Sequence, residues 1–184
     1  MEIRMTTANA TTYAIDPSHS SVEFSVRHLM LSKVRGAFRA VSGTVVLPSD
    51  GVIPSAVTAD IEVASIETRD AQRDGHLKSE DFFHAEKFTH IHFVSTSVTA
   101  TGETTFDING NLEIRGVTHP VVLKAEAMGR TTDPWGNDRL GYEAKTRINR
   151  KDYGLTWNQA LETGGVMVGE EIDINLEIEA VAKP

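Results

Sequence analysis

Phe106-Asp107-Ile108-Asn109-Gly110-Asn111-Leu112-Glu113-Ile114-Arg115 decides the fold of this chain. Apolar side chains at 106, 108, 112 and 114 alternate with polar ones at 107, 109, 111, 113 and 115. Successive side chains of a strand point to opposite faces, so this stretch reads as a strand with one covered face. The same period continues downstream through Val121, Leu123, Ala125 and Ala127, then through Leu140, Tyr142, Ala144, Thr146 and Ile148. It closes with Ile172, Ile174, Leu176 and Ile178, opposed by Glu171, Asp173, Asn175, Glu177 and Glu179. Upstream it returns at Ile91 and Phe93, at Val57, Ala59, Ile61 and Val63, and at Val22, Phe24 and Val26. Another strand runs roughly from Val34 to Leu47, where the apolar phase slips between Gly36 and Gly43, as expected of a bulge or sharp coiling.

About eight strands joined by turns such as Pro48-Ser49-Asp50-Gly51 and Asp133-Pro134-Trp135-Gly136-Asn137 favour antiparallel neighbours. Strands with one apolar face must cover it with a second sheet or by curling closed. Closure also removes exposed edges, so the expectation is an all-β antiparallel barrel, with a flat sandwich as the alternative. Two segments break the pattern. From Thr68 to Phe88 the chain turns helical and charged, and Thr68 is expected to cap a short helix over Asp70 to Lys78. From Asn149 to Gly169 runs a long connection holding Tyr153, Leu155, Trp157 and Leu161, a candidate lid or binding loop.

A length of 184 residues suits a single barrel domain. Residues 1–12 are expected as a flexible N-terminal tail and residues 13–184 as the barrel. A net charge of −8 without a basic stripe argues against nucleic acid. The absence of cysteine removes disulfides and thiolate metal sites. No apolar run approaches the ~20 residues that span a bilayer, so stable membrane insertion is not expected. Met1 to Thr12 lacks the basic start and apolar stretch of a secretory signal, which makes the cytoplasm the expected compartment.

Catalytic signals are weak. His90-x-His92 places two imidazoles on one strand face, and a metal would need a third ligand such as His84, Glu86 or His119. That face is the outer one, so no metal site is assigned. Asp16-x-x-His19-Ser20 has the residue types of a hydrolytic triad, but triad members come from separate segments and no nucleophile elbow is present. Gly164-Gly165 lacks the Lys and helix of a phosphate loop, and Asp70 and Asp74 are carboxylates of a charged helix. His28 continues the inward phase of Val22, Phe24 and Val26. It reads either as a hydrogen-bonded buried histidine or as a polar anchor for a ligand head. No catalytic residue is assigned.

The order and spacing of several short motifs resemble the YceI-like, polyisoprenoid-binding family from Tyr13 to about Val181. They are Ile15-Asp16-Pro17-Ser18-His19-Ser20, Val22-Glu23-Phe24-Ser25-Val26-Arg27-His28 and Val34-Arg35-Gly36-Ala37-Phe38. Ser65-Ile66-Glu67-Thr68, Arg73-Asp74-Gly75-His76-Leu77 and Asp81-Phe82-Phe83 follow. Gly110-Asn111-Leu112-Glu113-Ile114-Arg115-Gly116-Val117-Thr118 and Asn149-Arg150-Lys151-Asp152-Tyr153-Gly154 complete the series. The resemblance implies a lipocalin-like barrel with one or two short helices and an internal apolar tunnel. It also implies non-enzymatic binding, storage or transport of a long-chain polyisoprenoid or a quinone-like lipid, with no other cofactor. A homodimer is compatible with it. Many family members carry a periplasmic leader, and the composition of Met1 to Thr12 leads to no such expectation for this sequence.

Inward candidates for the ligand are Phe24, Val26, Phe38, Ile61, Phe93, Phe106, Ile108, Leu112, Leu123, Leu140, Tyr142, Ile174 and Leu176. Trp157 is expected to pack over the ligand while His28, Arg73 or His76 meets its polar end; alternatively Arg73, Asp74 and His76 only dock the helix. Two other functions compete. One is an enzyme acting on an isoprenoid or quinone precursor through His28, and the other is a stress-related interaction module without a tight ligand.

Overall fold

The computed structural model describes residues 9–184; residues 1–8 of the expected tail lie outside the described residues. Thr11 and Thr12, also assigned to that tail, already belong to the first strand. Eleven strand segments build one antiparallel sheet. They are β1 (Thr11–Ile15), β2 (Ser21–His28), β3 (Ser32–Phe38), β4 (Val41–Leu47), β5 (Ala56–Glu62) and β6 (Ile66–Glu67). After the helix α1 (Ala71–Lys78) come β7 (His90–Ala100), β8 (Thr105–Ile114), β9 (Val117–Thr132), β10 (Asp138–Asn149) and β11 (Val168–Ala182).

The eleven segments make eight barrel strands. β1 and β2 both lie against β11, with Ile15 opposite Ala180 and Ser21 opposite Glu177. β3 pairs with β2 while β4 pairs with β1, and β6 pairs with β3 while β5 pairs with β4. Each of these three couples is one long strand interrupted once. The order is therefore up-and-down, from β1–β2 through β3–β4, β5–β6, β7, β8, β9 and β10 to β11, which pairs back to β1 and β2.

The three interruptions are 3-10 turns at Pro17–His19 and Val63–Ser65 and the step Arg39-Ala40 between them. They stand at one level of the barrel: Arg39 N–H donates to Ser65 O and Glu62 N–H to Ala40 O, and the pairs Ala14–Thr44 and Val22–Phe38 bracket Pro17–His19 against Arg39-Ala40. At each, the buried phase moves by one residue: Tyr13 and Ile15 give way to Val22, Phe38 to Val41, and Val63 to Ile66. An extra residue in a strand bends it and increases its coiling, so the wall turns there as a unit. That is the physical content of the phase slip near Gly36–Gly43. Gly36 itself makes room: a Cβ there would lie 2.4 Å from Phe24 Cζ, because the Phe24 ring lies over its cross-strand partner.

α1 begins differently from expectation. Asp70, not Thr68, is the N-cap, its carboxylate accepting from Arg73 N–H. Thr68 is buried and holds Asp74 instead, donating from both its N–H and its hydroxyl. Helical structure is limited to α1 and three 3-10 turns among the described residues.

Candidate functional site

The strand directions place β1, the β4–β5 connection and the β9–β10 turn at one end of the barrel. The β2–β3 hairpin, α1 and the 154–167 loop stand at the other. Between them lies a cavity of about 220 Å³ whose surface is apolar. An apolar cavity of ~150 Å³ accepts a benzene-sized guest, so this one has room for an apolar guest somewhat larger than benzene.

Of the inward candidates, Phe24, Val26, Phe38, Ile61, Phe93, Phe106, Ile108, Leu112, Leu123, Tyr142, Ile174 and Leu176 line the cavity. Leu140 does not. It is 1% exposed and packs in the core at the β1 end, opposite Ala180. His28 and Trp157 line a second hollow of about 580 Å³ at the helical end, a vestibule bordered also by Arg27, Val34, Thr68, Asp70, Gln72, Arg73, His76 and Met167. Phe24, Val26, Leu77, Phe82 and Val168 border both volumes, so the vestibule adjoins the tunnel through an apolar neck.

Sequence reasoning missed the inner side of the lid. Leu77 on α1 and Phe82 and Phe83 beyond it line the tunnel. The mean polarity of Thr68–Phe88 concealed them, although the Phe82-Phe83 pair was a visible signal. His76 joins the lid to the 154–167 loop: its ring stands edge-on to Phe82 at 5.1 Å and to Trp157 at 4.7 Å. Trp157 therefore packs on the lid itself, with Phe82 at 5.4 Å.

The polar groups of the vestibule divide sharply. Arg73 donates from Nε to Thr68 Oγ1 and from Nη2 to Thr68 O, and His76 Nε2 lies 2.8 Å from Asp81 Oδ2. With Asp74 bound to Thr68, these three residues dock the helix. Among the described residues, Arg27 makes no side-chain hydrogen bond and no side chain hydrogen-bonds the His28 imidazole.

Arg150 fastens the loop. It is 4% exposed, and its guanidinium donates to the carbonyls of Gly169, Leu155, Trp157 and Val168. Burial lowers the pKa of this cation, and the four carbonyl dipoles are what hold it charged in the wall. Nearby, burial pushes the Tyr153 hydroxyl up to about 12, with Asp152 adding to the shift, so both hydroxyl and ring stay neutral at the tunnel wall.

The other histidine motifs fall outside the hollow. His90 and His92 are exposed and their rings stack at 6.0 Å, with His92 Nδ1 bonded to Asp60. His84 and Phe88 meet edge-on, and His119 Nε2 lies 2.9 Å from Asp152 O. Asp16, His19 and Glu179 bring three potential metal-ligating atoms together among the described residues. Arg139 Nη1 already binds both carboxylates, and a guanidinium in that position repels a second cation. Of the triad-like Asp16, His19 and Ser20, the first two are thus part of an ion-pair cluster at the β1 end, while Ser20 Oγ donates to Glu179 O and Ser18 takes its place beside Asp16 and His19.

Comparison with known proteins agrees with this architecture. The model of the YceI-like domain matches residues 13–180. A UPF0312 protein of Azotobacter vinelandii is 36% identical over 176 residues, covering 95% of this chain and 88% of the relative. One from Vibrio cholerae is 33% identical over 178 residues, covering 96% and 90%. Among solved structures, the Campylobacter jejuni YCEI protein superposes with a TM-score of 0.74 at 28% identity, covering 86% of this chain and 90% of that one. A polyisoprenoid-binding domain from Saccharophagus degradans shares the fold, with a TM-score of 0.68 at 15% identity over 94% of this chain and 99% of that one. The chain belongs to the YceI-like domain family.

Proposed function

We propose that this barrel binds, stores or transports a long-chain polyisoprenoid or related amphiphilic lipid without chemically changing it. The observation that carries this reading is a wholly apolar tunnel adjoining a polar-edged vestibule, a division that matches a molecule with an apolar chain and a polar end. Burial yields ~0.8 kcal/mol per methylene-sized group, so each five-carbon unit contributes a few kcal/mol before the ordering cost of the chain. A tunnel with no polar surface selects by length and shape. Likeness of fold to the Saccharophagus degradans domain supports the class of ligand.

The polar end of the ligand lies in the vestibule against His28, whose side chain has no hydrogen-bond partner among the described residues. Entry requires Leu77, Phe82 and Phe83 to move aside, and the aromatic contacts around His76 and Trp157 hold them closed. Native mass spectrometry of the purified protein, with organic extraction of its lipids, tests the reading. A stoichiometric co-purifying lipid with an apolar chain is expected. An interior that stays empty when the protein is offered long-chain prenyl alcohols would overturn it.

A further inference from the structure

Leu29-Met30-Leu31 joins β2 to β3 beside the vestibule, and nothing within the fold accounts for its composition. Leu29 and Met30 both have positive φ, 51° and 60°. Consecutive left-handed residues in a tight turn are normally Asn or Gly, because a Cβ crowds the neighbouring carbonyl there. The strained turn carries its apolar side chains into solvent: Met30 is 63% exposed and Leu31 81%. Leu29 N–H donates to Met167 O, which fixes the hairpin against the loop that borders the vestibule.

The surroundings are basic on a chain whose net charge is −8. Arg27 and Lys33 are direct cross-strand partners, and Arg35 follows opposite Ser25. Arg27 and Arg35 are exposed and pair with no carboxylate among the described residues. Lys33 pairs with Asp173, which Arg147 also binds; Glu170 is taken by Lys151, and Asp70 caps α1. These three carboxylates are therefore engaged, whereas the guanidinium groups of Arg27 and Arg35 pair with no carboxylate among the described residues.

We propose that the β2–β3 tip docks the protein on an anionic lipid bilayer, with Met30 and Leu31 in the interfacial region and Arg27 and Arg35 at the headgroups. Apolar residues at a projecting tip with flanking cations are the chemistry that such a surface selects. Docking there seats the vestibule against the bilayer, so a lipid chain passes into the tunnel without crossing water. The functional part of this statement rests on the lipid-binding reading above; the docking itself does not.

The test is co-sedimentation with phosphatidylcholine vesicles with and without phosphatidylglycerol, at low and high salt. Binding to the phosphatidylglycerol vesicles that weakens with salt is expected. Met30→Asp with Leu31→Asp should reduce it about tenfold or more, and Arg27→Gln with Arg35→Gln should remove its salt dependence. Met30→Gly separates docking from folding, since relief of the positive-φ strain should raise Tm while vesicle binding falls. Vesicle binding that survives the double Asp variant overturns the proposal. So does a wild-type protein that ignores anionic vesicles, or a tip that instead joins two copies of the chain, seen as a mass halved by the Asp substitutions. Lipid content of the same samples, read by mass spectrometry, distinguishes the two ideas: vesicle binding by a lipid-free barrel sinks the carrier and keeps the docking.

Discussion

The two ends of the barrel are closed by different physics. At the β1 end, Arg139 binds Asp133, Asp16 and Glu179 at once, at 2.7, 2.9 and 2.6 Å. Beside it the Tyr13 hydroxyl donates to Asp138 Oδ2, which Arg130 also holds, and Tyr142 donates to Val52 O. Beneath this polar network Tyr13, Leu47, Phe106 and Leu140 are almost wholly buried. At the helical end the tunnel is covered by Leu77, Phe82 and Phe83, and the cover is joined to the loop through aromatic contacts among His76, Phe82 and Trp157. A charge network has specific geometry, and an uncharged guest cannot replace its hydrogen bonds. Apolar contacts are non-directional and can be replaced by the methyl groups of a guest. On the proposed lipid-binding reading, the contrast points to the helical end as the entry, because its closure is the one that a lipid chain can imitate.

The strongest way to break this comparison is to cut into the closed end. Leu140→Ala should destabilise the fold by about 2–5 kcal/mol in urea unfolding, through a void left in the packed core at the β1 end. Because Leu140 lines neither hollow, lipid bound per folded molecule should not change. A parallel loss of lipid would place Leu140 in the binding tunnel after all.

Acid provides the next test. Arg139 holds the Asp133 carboxyl well below the ordinary carboxylate range, with Asn137 and Trp135 N–H adding hydrogen bonds. Asp16 is lowered by hydrogen bonds from Ser18, His19 and Arg139, in that order. A depressed folded pKa gives stability that is present above the unfolded value of ~3.9 and is lost as pH falls through the folded one. Tm should therefore drop below about pH 4, and Arg139→Gln should lower Tm at pH 7 while flattening the acid limb. An unaltered limb would assign acid sensitivity to other groups.

At the helical end the effects should be smaller on stability and larger on exchange. Trp157→Ala removes ring contacts to His76 and Phe82, each worth about 0.5–1.5 kcal/mol. The Tm loss should amount to several degrees at most, while the release rate of a fluorescent prenyl probe rises. A large Tm loss with unchanged release would make Trp157 a structural residue. The smallest expected change is Tyr142→Phe, which removes one hydrogen bond to Val52 O for about 1 kcal/mol and leaves the apolar wall intact. Probe binding at wild-type strength is its expected readout.

The barrel was legible in the sequence because each strand states its own inner face locally. Phe106 to Ile114 and Leu140 to Ile148 needed no partner to be read. The interrupted strands were partly legible: the slip between Gly36 and Gly43 was visible, whereas Tyr13–Ile15 was too short to show its continuity with β2. The site divided in the same way. Alternation found the wall residues but could not separate Leu140 from Leu123, since both obey the same period. What separates them is position along the barrel: Leu140, opposite Ala180 at the β1 end, lies in the packed core, whereas Leu123 faces the cavity.

By itself, then, the sequence determined which side chains face inward, because that depends on the pleat of each strand. It also determined that a helical and a loop segment interrupt the strands. The tertiary structure alone decided where the interior is filled and where it is hollow, because volume is set by side chains arriving from strands distant in sequence. It decided the fate of the polar groups as well. Arg73, Asp74 and His76 are spent on docking the helix, Arg150 on fastening the loop, and His28 and Arg27 are left at the vestibule. Hydrogen bonding depends on distances that no local pattern contains.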